Sequence, residues 1–135
     1  LALLKKVTPF LMFQGGKAEE AMNYYVSLIE DSKIMSITRY GANENGEEGT
    51  VMHATFSLKG QEFMCIDSVI KHEFTFTPSF SIYIDCESEE EIDNLYGKLI
   101  TDGMALMPLG NYGFSKKFGW LNDRFGVSWQ IDLPN

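Results

Sequence analysis

The sequence predicts an α+β fold made of two βαβββ modules, and three observations carry that expectation. A strand-like run leading into an acidic amphipathic stretch occurs twice. Pro9-Phe10-Leu11-Met12-Phe13 precedes Ala18-Glu19-Glu20-Ala21-Met22-Asn23-Tyr24-Tyr25, and Phe80-Ser81-Ile82-Tyr83-Ile84 precedes Glu89-Glu90-Glu91-Ile92-Asp93-Asn94-Leu95-Tyr96. Each half then closes on a similar strand, Gly60-Gln61-Glu62-Phe63-Met64-Cys65-Ile66-Asp67 and Gly126-Val127-Ser128-Trp129-Gln130-Ile131-Asp132, in which glycine, aromatic and apolar residues recur in register. Finally, two helices cannot cover both faces of eight strands, so one face packs on helices and the other is left to line a cleft. The expected architecture is a curved mixed sheet around that cleft with the helices outside. It forms one domain over residues 1–135, with repeats at 7–67 and 79–133 and a connector at 68–78.

Val7–Phe13 is apolar on both faces and reads as a buried strand, broken by Gln14-Gly15-Gly16-Lys17. Ala18, Ala21, Met22, Tyr25, Leu28 and Ile29 fall three and four apart, which predicts a helix. Lys33–Tyr40 returns to a strand pattern, and residues 43–49 form a polar, glycine-containing turn. Val51–Leu58 alternates, with Met52, Ala54, Phe56 and Leu58 on one face and Val51, His53, Thr55 and Ser57 on the other. Lys59-Gly60 turns the chain into the strand Glu62–Asp67. In the second half Phe80, Ile82 and Ile84 share a strand face. Ser88 and Glu91 make the Ser-x-x-Glu pattern of a capped helix start. Ile92, Leu95, Tyr96, Leu99 and Ile100 form its apolar stripe, and Gly103 is placed to end it. Strands are expected at Met104–Leu109, Phe118–Asn122 and Val127–Leu133, the last two joined by Asp123-Arg124-Phe125-Gly126. This arrangement turns Phe63, Cys65, Trp129 and Ile131 toward the helices, and Glu62, Met64, Ser128 and Gln130 into the cleft.

Composition bounds the function. At 135 residues, 44% of them hydrophobic and 13% aromatic, the chain has enough apolar material for a real core. A net charge of −8 opposes binding to nucleic acid or an anionic membrane surface, and no apolar run approaches a membrane span. Leu1–Val7 is too short for a signal peptide and lacks a small-residue cleavage site. Cys65 and Cys86 sit inside strand-like runs, so a disulfide framework is not expected and a reducing cytoplasm is.

Thr8-Pro9-Phe10-Leu11-Met12-Phe13, the helix around Tyr24-Tyr25, and above all the Asp-x-Phe-Gly-x-x-Trp pattern of Asp123–Trp129 resemble the vicinal-oxygen-chelate superfamily. That superfamily includes glyoxalase I, bleomycin-resistance proteins and extradiol dioxygenases. The resemblance is strongest to its PhnB-like group, some of whose members carry the name 3-demethylubiquinone-9 3-methyltransferase-like. It implies a ligand cleft and pairing into a homodimer. Metal-using relatives place His, Gln or Glu on the first and last strands of each repeat to hold a divalent cation with open positions for substrate. Those slots fall here on Phe10 or Met12, on Met64, on Ser79 or Ser81, and on Gln130. Phenylalanine offers no donor and a thioether suits hard cations poorly, so the expectation is no metal and no cofactor.

The expected function is binding of a small organic ligand in an apolar cleft. Phe10, Met12, Met64, Tyr83, Trp120 and Gln130 would form its walls, and Gln130, His53 and Ser81 would orient the ligand. One alternative is a metal-dependent lyase, isomerase or dioxygenase-like enzyme with a non-standard site at His53 and Gln130, with Glu62 as a further candidate. The other is a purely structural interaction module. His53 has the chemistry of a general base or lone ligand, but a strand histidine bonded to a neighbour is the simpler reading, and His72 reads as a solvated loop residue. Gly15-Gly16-Lys17 lacks the spacing and following Ser or Thr of a phosphate loop, and the chain has no Gly-x-Gly-x-x-Gly for a doubly wound cofactor domain. The acidic run Glu89-Glu90-Glu91 suits a helix N-terminus, and the two cysteines read as core thiols. The segment Asn111–Trp120 carries Tyr112, Phe114 and Trp120 among glycines. It is either a lid that stacks on a flat ligand or a hairpin loop whose aromatics pack on their own sheet.

Overall fold

Alternating strands, two helical stripes and left-handed turn residues produce the order β1 (Phe10–Phe13), α1 (Ala18–Leu28), β2 (Lys33–Arg39), β3 (Val51–Leu58), β4 (Gln61–Asp67), β5 (Ile82–Asp85), α2 (Glu89–Leu99), β6 (Met104–Gly110), β7 (Lys117–Asn122) and β8 (Ser128–Leu133). The structure is a computed structural model that describes residues 3–135, so Leu1 and Ala2 of the N-terminal segment weighed above lie outside the described residues. The chain divides into two units, the first ending at Glu73 and the second running Phe74–Asn135. Each unit holds one βαβββ module, as the repeat predicts.

Each module builds its own four-stranded mixed sheet, β1-β4-β3-β2 in the first and β5-β8-β7-β6 in the second. The outer pair is parallel in both (β1 with β4, β5 with β8) and the remaining pairs are antiparallel. The two repeated glycines have the same job. Lys59 and Gly60, at φ 48° and 89°, supply the two left-handed residues of a tight β3–β4 hairpin, and Gly126 takes φ 90° in the β7–β8 turn.

The helices are started differently. Lys17 makes no side-chain cap for α1. Instead the buried Asp67 at the end of β4 reaches across, its Oδ1 accepting from the Ala18 N–H at 2.9 Å and its Oδ2 from the Val51 N–H at 2.8 Å. One carboxylate thereby satisfies an orphan donor of the helix and ties α1 to β3. For α2 the predicted cap is present: Ser88 Oγ accepts from the Glu91 N–H at 3.1 Å, and Glu91 Oε1 accepts from the Glu87 N–H at 3.1 Å.

Ala18, Ala21, Met22 and Tyr25 of α1 are fully buried, as are Ala54, Phe56 and Cys65 on the facing sheet, where Phe56 and Phe63 stack with ring centroids 5.2 Å apart. In the second unit Ile92, Leu95, Tyr96 and Leu99 are buried together with Leu121, Trp129 and Ile131. Burial of each such side chain contributes about 1.5–3 kcal/mol. Gly119 lets Tyr96 lie flat on β7, since a Cβ there would stand 2.5 Å from the ring.

Three expectations are corrected. The first strand is only Phe10–Phe13, and Val7 and Phe10 are 83% and 51% exposed. β1 buries only the face that carries Leu11 and Phe13, and Phe10 lies on the sheet face that its helix does not cover, so an unbroken apolar run does not mean burial on both sides. The strand expected from Ser79 or Phe80 begins at Ile82, and Phe80 is exposed. Finally, Asp102 (φ 58°), not Gly103, takes the left-handed position after α2. Gly103 is needed because a Cβ there would collide with the Asn122 carbonyl oxygen. The long outer strands β2 and β6 each carry two register irregularities, those of β6 falling around Met107 and Pro108.

Candidate functional site

Side chains of a strand alternate, so each sheet has a face packed on its helix and an open face, and the predicted site residues fall on the open faces. In the first unit Phe10 and Met12 of β1 lie beside Met64 and Ile66 of β4. Met64 also pairs with Thr55 of β3, whose neighbour on the same face, His53, pairs with Thr38. In the second unit Tyr83 of β5 pairs with Gln130 of β8, which pairs in turn with Trp120 of β7. Phe63, Cys65, Trp129 and Ile131 are buried on the helix faces, as predicted.

A polar network ties the second group together. Ser81 Oγ and the buried Ser128 Oγ are 2.6 Å apart, Trp120 Nε1 donates to Ser128 Oγ at 2.9 Å, and Gln130 Nε2 donates to Ser81 Oγ at 3.3 Å. Ser81 thus joins Ser128 to Gln130 in this network although it precedes the strand. The Tyr83 phenol is pushed above the usual tyrosine range, first by burial, then by the negative charge of Asp132, by hydrogen bonding to that carboxylate, and by Asp85.

Asp132 was not singled out by the sequence. It is 6% exposed, lies between Asp85 and Phe118 on the open face, and its Oδ1 has no hydrogen-bond partner. The one available signal was a carboxylate in the apolar finish Ile131-Asp132-Leu133.

The registers also define which positions correspond between modules. Phe10 pairs with Met64, four residues after Gly60, and Tyr83 pairs with Gln130, four residues after Gly126. Tyr83, rather than Ser79 or Ser81, therefore stands in the second module where Phe10 stands in the first. None of these positions suits a hard divalent cation: in the first unit Phe10 has no donor and Met64 a thioether, and in the second Tyr83 has a phenol and Gln130 a neutral amide. Among the described residues no group of three or more His, Cys, Asp or Glu side chains is placed to hold a metal ion. Glu62 is paired with Lys6.

Several other motifs resolve into structure. Asp123 Oδ1 accepts from the Phe125 and Val127 N–H groups at 2.8 and 3.0 Å, and its Oδ2 accepts from Trp129 Nε1 at 2.8 Å. The most specific pattern of the sequence is therefore a hairpin clamp that orients β8. The aromatics of residues 111–120 pack on their own sheet: Phe114 meets Phe118 edge-on at 5.1 Å, and Tyr112 stacks on Phe114 at 6.4 Å. Gly15 and Gly16 hold φ 74° and 73° in the turn before α1, where the Asp67 carboxylate already occupies the place an anion would take. His72 is anchored through its backbone N–H to Gln14 Oε1 at 2.6 Å, and a concavity of about 540 Å³ lies between Gln14-Gly15 and residues 68–72. Burial, reinforced by nearby carboxylates, pushes the Cys65 and Cys86 thiols up to about 12, so neither is a nucleophile near neutrality.

Paired βαβββ modules with open sheet faces define the glyoxalase fold. The glyoxylase/bleomycin resistance protein/dioxygenase domain from Frankia sp. EAN1pec matches with a TM-score of 0.63 at 16% identity, covering 99% of this chain and 100% of that one. More narrowly, the family model described as 3-demethylubiquinone-9 3-methyltransferase matches residues 5–132, and the chain belongs to that family. The PhnB protein from Bacillus cereus is 65% identical, with a TM-score of 0.93 over 96% of this chain and 99% of that one. Protein YjdN of Escherichia coli (strain K12) is 22% identical over 94% of each chain.

Proposed function

We propose that this protein binds a small organic ligand on the open faces of its sheets and does so without the divalent cation of the metal-using glyoxalase relatives. The carrying observation is the donor chemistry at the four corresponding positions, where Phe10, Met64, Tyr83 and Gln130 suit apolar contact and one oriented amide better than a hard cation. Phe10, Met12 and Met64 supply apolar area, His53 a polar contact beside them, and Ser81, Tyr83, Trp120 and Gln130 a polar-aromatic surface with fixed hydrogen bonds. The family's description names a methyl transfer. Each sheet here has a single parallel pair, not the doubly wound parallel sheet on which nucleotide cofactors bind at strand ends, so binding is the better supported reading.

The same reading takes the protein as a homodimer, on its resemblance to relatives that pair, and as cytoplasmic, on its two free buried thiols. Among the described residues no helix is long and apolar enough to cross a membrane.

Elemental analysis of untagged protein and a thermal-shift screen of small organic molecules test the proposal together. The expected result is no stoichiometric divalent ion and a set of stabilising ligands, with stabilisation reduced in Met64→Ala and Gln130→Ala. A stoichiometric ion lost in His53→Ala would replace this reading with the metal-dependent enzyme. A screen with no stabilising molecule would leave the interaction module standing instead.

A further inference from the structure

Among the described residues three aspartates are buried, and two of them are fully used. Asp67 spends both oxygens on backbone N–H groups, and Asp123 accepts three hydrogen bonds. Asp132 is buried to the same degree, yet its Oδ1 has no partner. An amide can turn over to exchange acceptor for donor; a carboxylate cannot, so this oxygen is open to a donor that the chain does not supply, a water or a ligand group. The surroundings select the donor further. Among the described residues no cationic side chain is paired with Asp132, while Lys117, on the neighbouring strand, is held by Asp93 at 2.7 Å. Asp85 pairs with Asp132 across β5 and β8 and adds negative charge. Tyr83 and Phe118 flank it, their rings 6.5 Å apart. A carboxylate beside aromatic faces is the chemistry that recognises an organic cation.

We propose that Asp132 is the anchor of a site for a protonated organic amine on the open face of the second sheet, with Tyr83 as its cover. The proposal rests on the ligand-binding reading above and names the ligand class. Tyr83 is 52% exposed, and its ring lies 6.5 Å from that of Phe118, the cross-strand partner of Asp132. Rotation of its side chain away from β8 uncovers the carboxylate and leaves an aromatic ring beside the incoming ammonium. Gln130, Tyr83's cross-strand partner, and Trp120 border the same surface.

The test compares three probes of nearly equal shape, 2-phenylethylamine, 2-phenylethanol and phenylacetate, by ¹H–¹⁵N NMR titration of the full chain at neutral pH. The Trp120 indole and Gln130 side-chain amide are the reporters. The expected result is that the amine shifts both reporters at least tenfold more tightly than either other probe, and that Asp132→Asn removes the preference. Tyr83→Phe, which keeps the ring and the fold but frees the carboxylate, should tighten amine binding and keeps the test valid should Asp132→Asn not fold. Equal binding of amine and phenylacetate, or weakened amine binding in Tyr83→Phe, overturns the amine assignment but leaves the ligand-binding reading intact. That reading falls only if the broad thermal-shift screen is also empty.

Discussion

Removing the Asp123 carboxylate should be among the most damaging single changes on the surface-proximal hairpins of this protein. In Asp123→Ala three acceptor contacts disappear, to Phe125 N, Val127 N and Trp129 Nε1. Phe125 is only partly buried and its N–H can turn to water. Val127 and Trp129, at 4% and 0% exposure, have no such recourse. Each stranded buried donor costs about 1–3 kcal/mol, which makes about 4 kcal/mol for the pair. For a chain of this length that corresponds to a Tm lower by roughly 12 °C. Asp123→Asn keeps a carbonyl acceptor and should lose about half as much. Trp129→Phe strands the carboxylate instead of the indole, so the double-mutant cycle with Asp123→Ala should return a coupling of about 1–2 kcal/mol. Equilibrium urea unfolding followed by tryptophan fluorescence and far-ultraviolet dichroism reads all of these values. A loss below about 1 kcal/mol in Asp123→Ala, or a coupling near zero, would refute the assignment of the motif as a clamp.

Gly103→Ala places a methyl group against the Asn122 carbonyl oxygen and should cost about 1–3 kcal/mol by overpacking, seen as a lower urea midpoint with unchanged slope. Because burial raises both thiols from 9.0 to about 12, the folded state holds protons that the unfolded state gives up between those values. Stability should therefore be intact below about pH 9 and fall as pH rises toward 12, by at most about 1.4 kcal/mol per pH unit for each thiol. Native protein at pH 8 should correspondingly resist a thiol reagent until denatured, and fast labelling without unfolding would contradict the burial. Spectrophotometric titration should find Tyr83 and Tyr96 ionising late, and Asp132→Asn should bring Tyr83 part of the way back toward the ordinary tyrosine range, leaving the part due to burial; an unchanged titration would show that Asp132 does not act on it.

The order of elements was legible because strand alternation, the two helical stripes and the turn glycines each have a local cause. The same holds for the Ser88 cap, where donor and acceptor are three residues apart. Failures began where a cause is long-range. That Phe10 is exposed depends on which face of the sheet the helix covers, a property of tertiary packing and not of its own residues. That Asp67 caps a helix starting at Ala18 depends on two segments far apart in sequence. Of the candidate site, the shared face of Ser81, Tyr83 and Gln130 was legible from alternation and repeat register, whereas Trp120 stood out only as an aromatic of a glycine-rich segment. Asp132 was missed because its distinguishing property, an oxygen without a partner, exists only once its neighbours are in place.

The irregular outer strands have a consequence for how copies of this chain can meet. A flat, regular outer strand invites another strand to pair with it and lets sheets grow without limit. Here β1 and β5 are only four residues long, β2 is bulged, and β6 combines bulges with Pro108, which has no N–H to give. Every border of both sheets is therefore poorly suited to backbone pairing. Any meeting of two copies would then rest on side chains, where specificity can be written in sequence, with the indiscriminate adhesion of one backbone to another disfavoured.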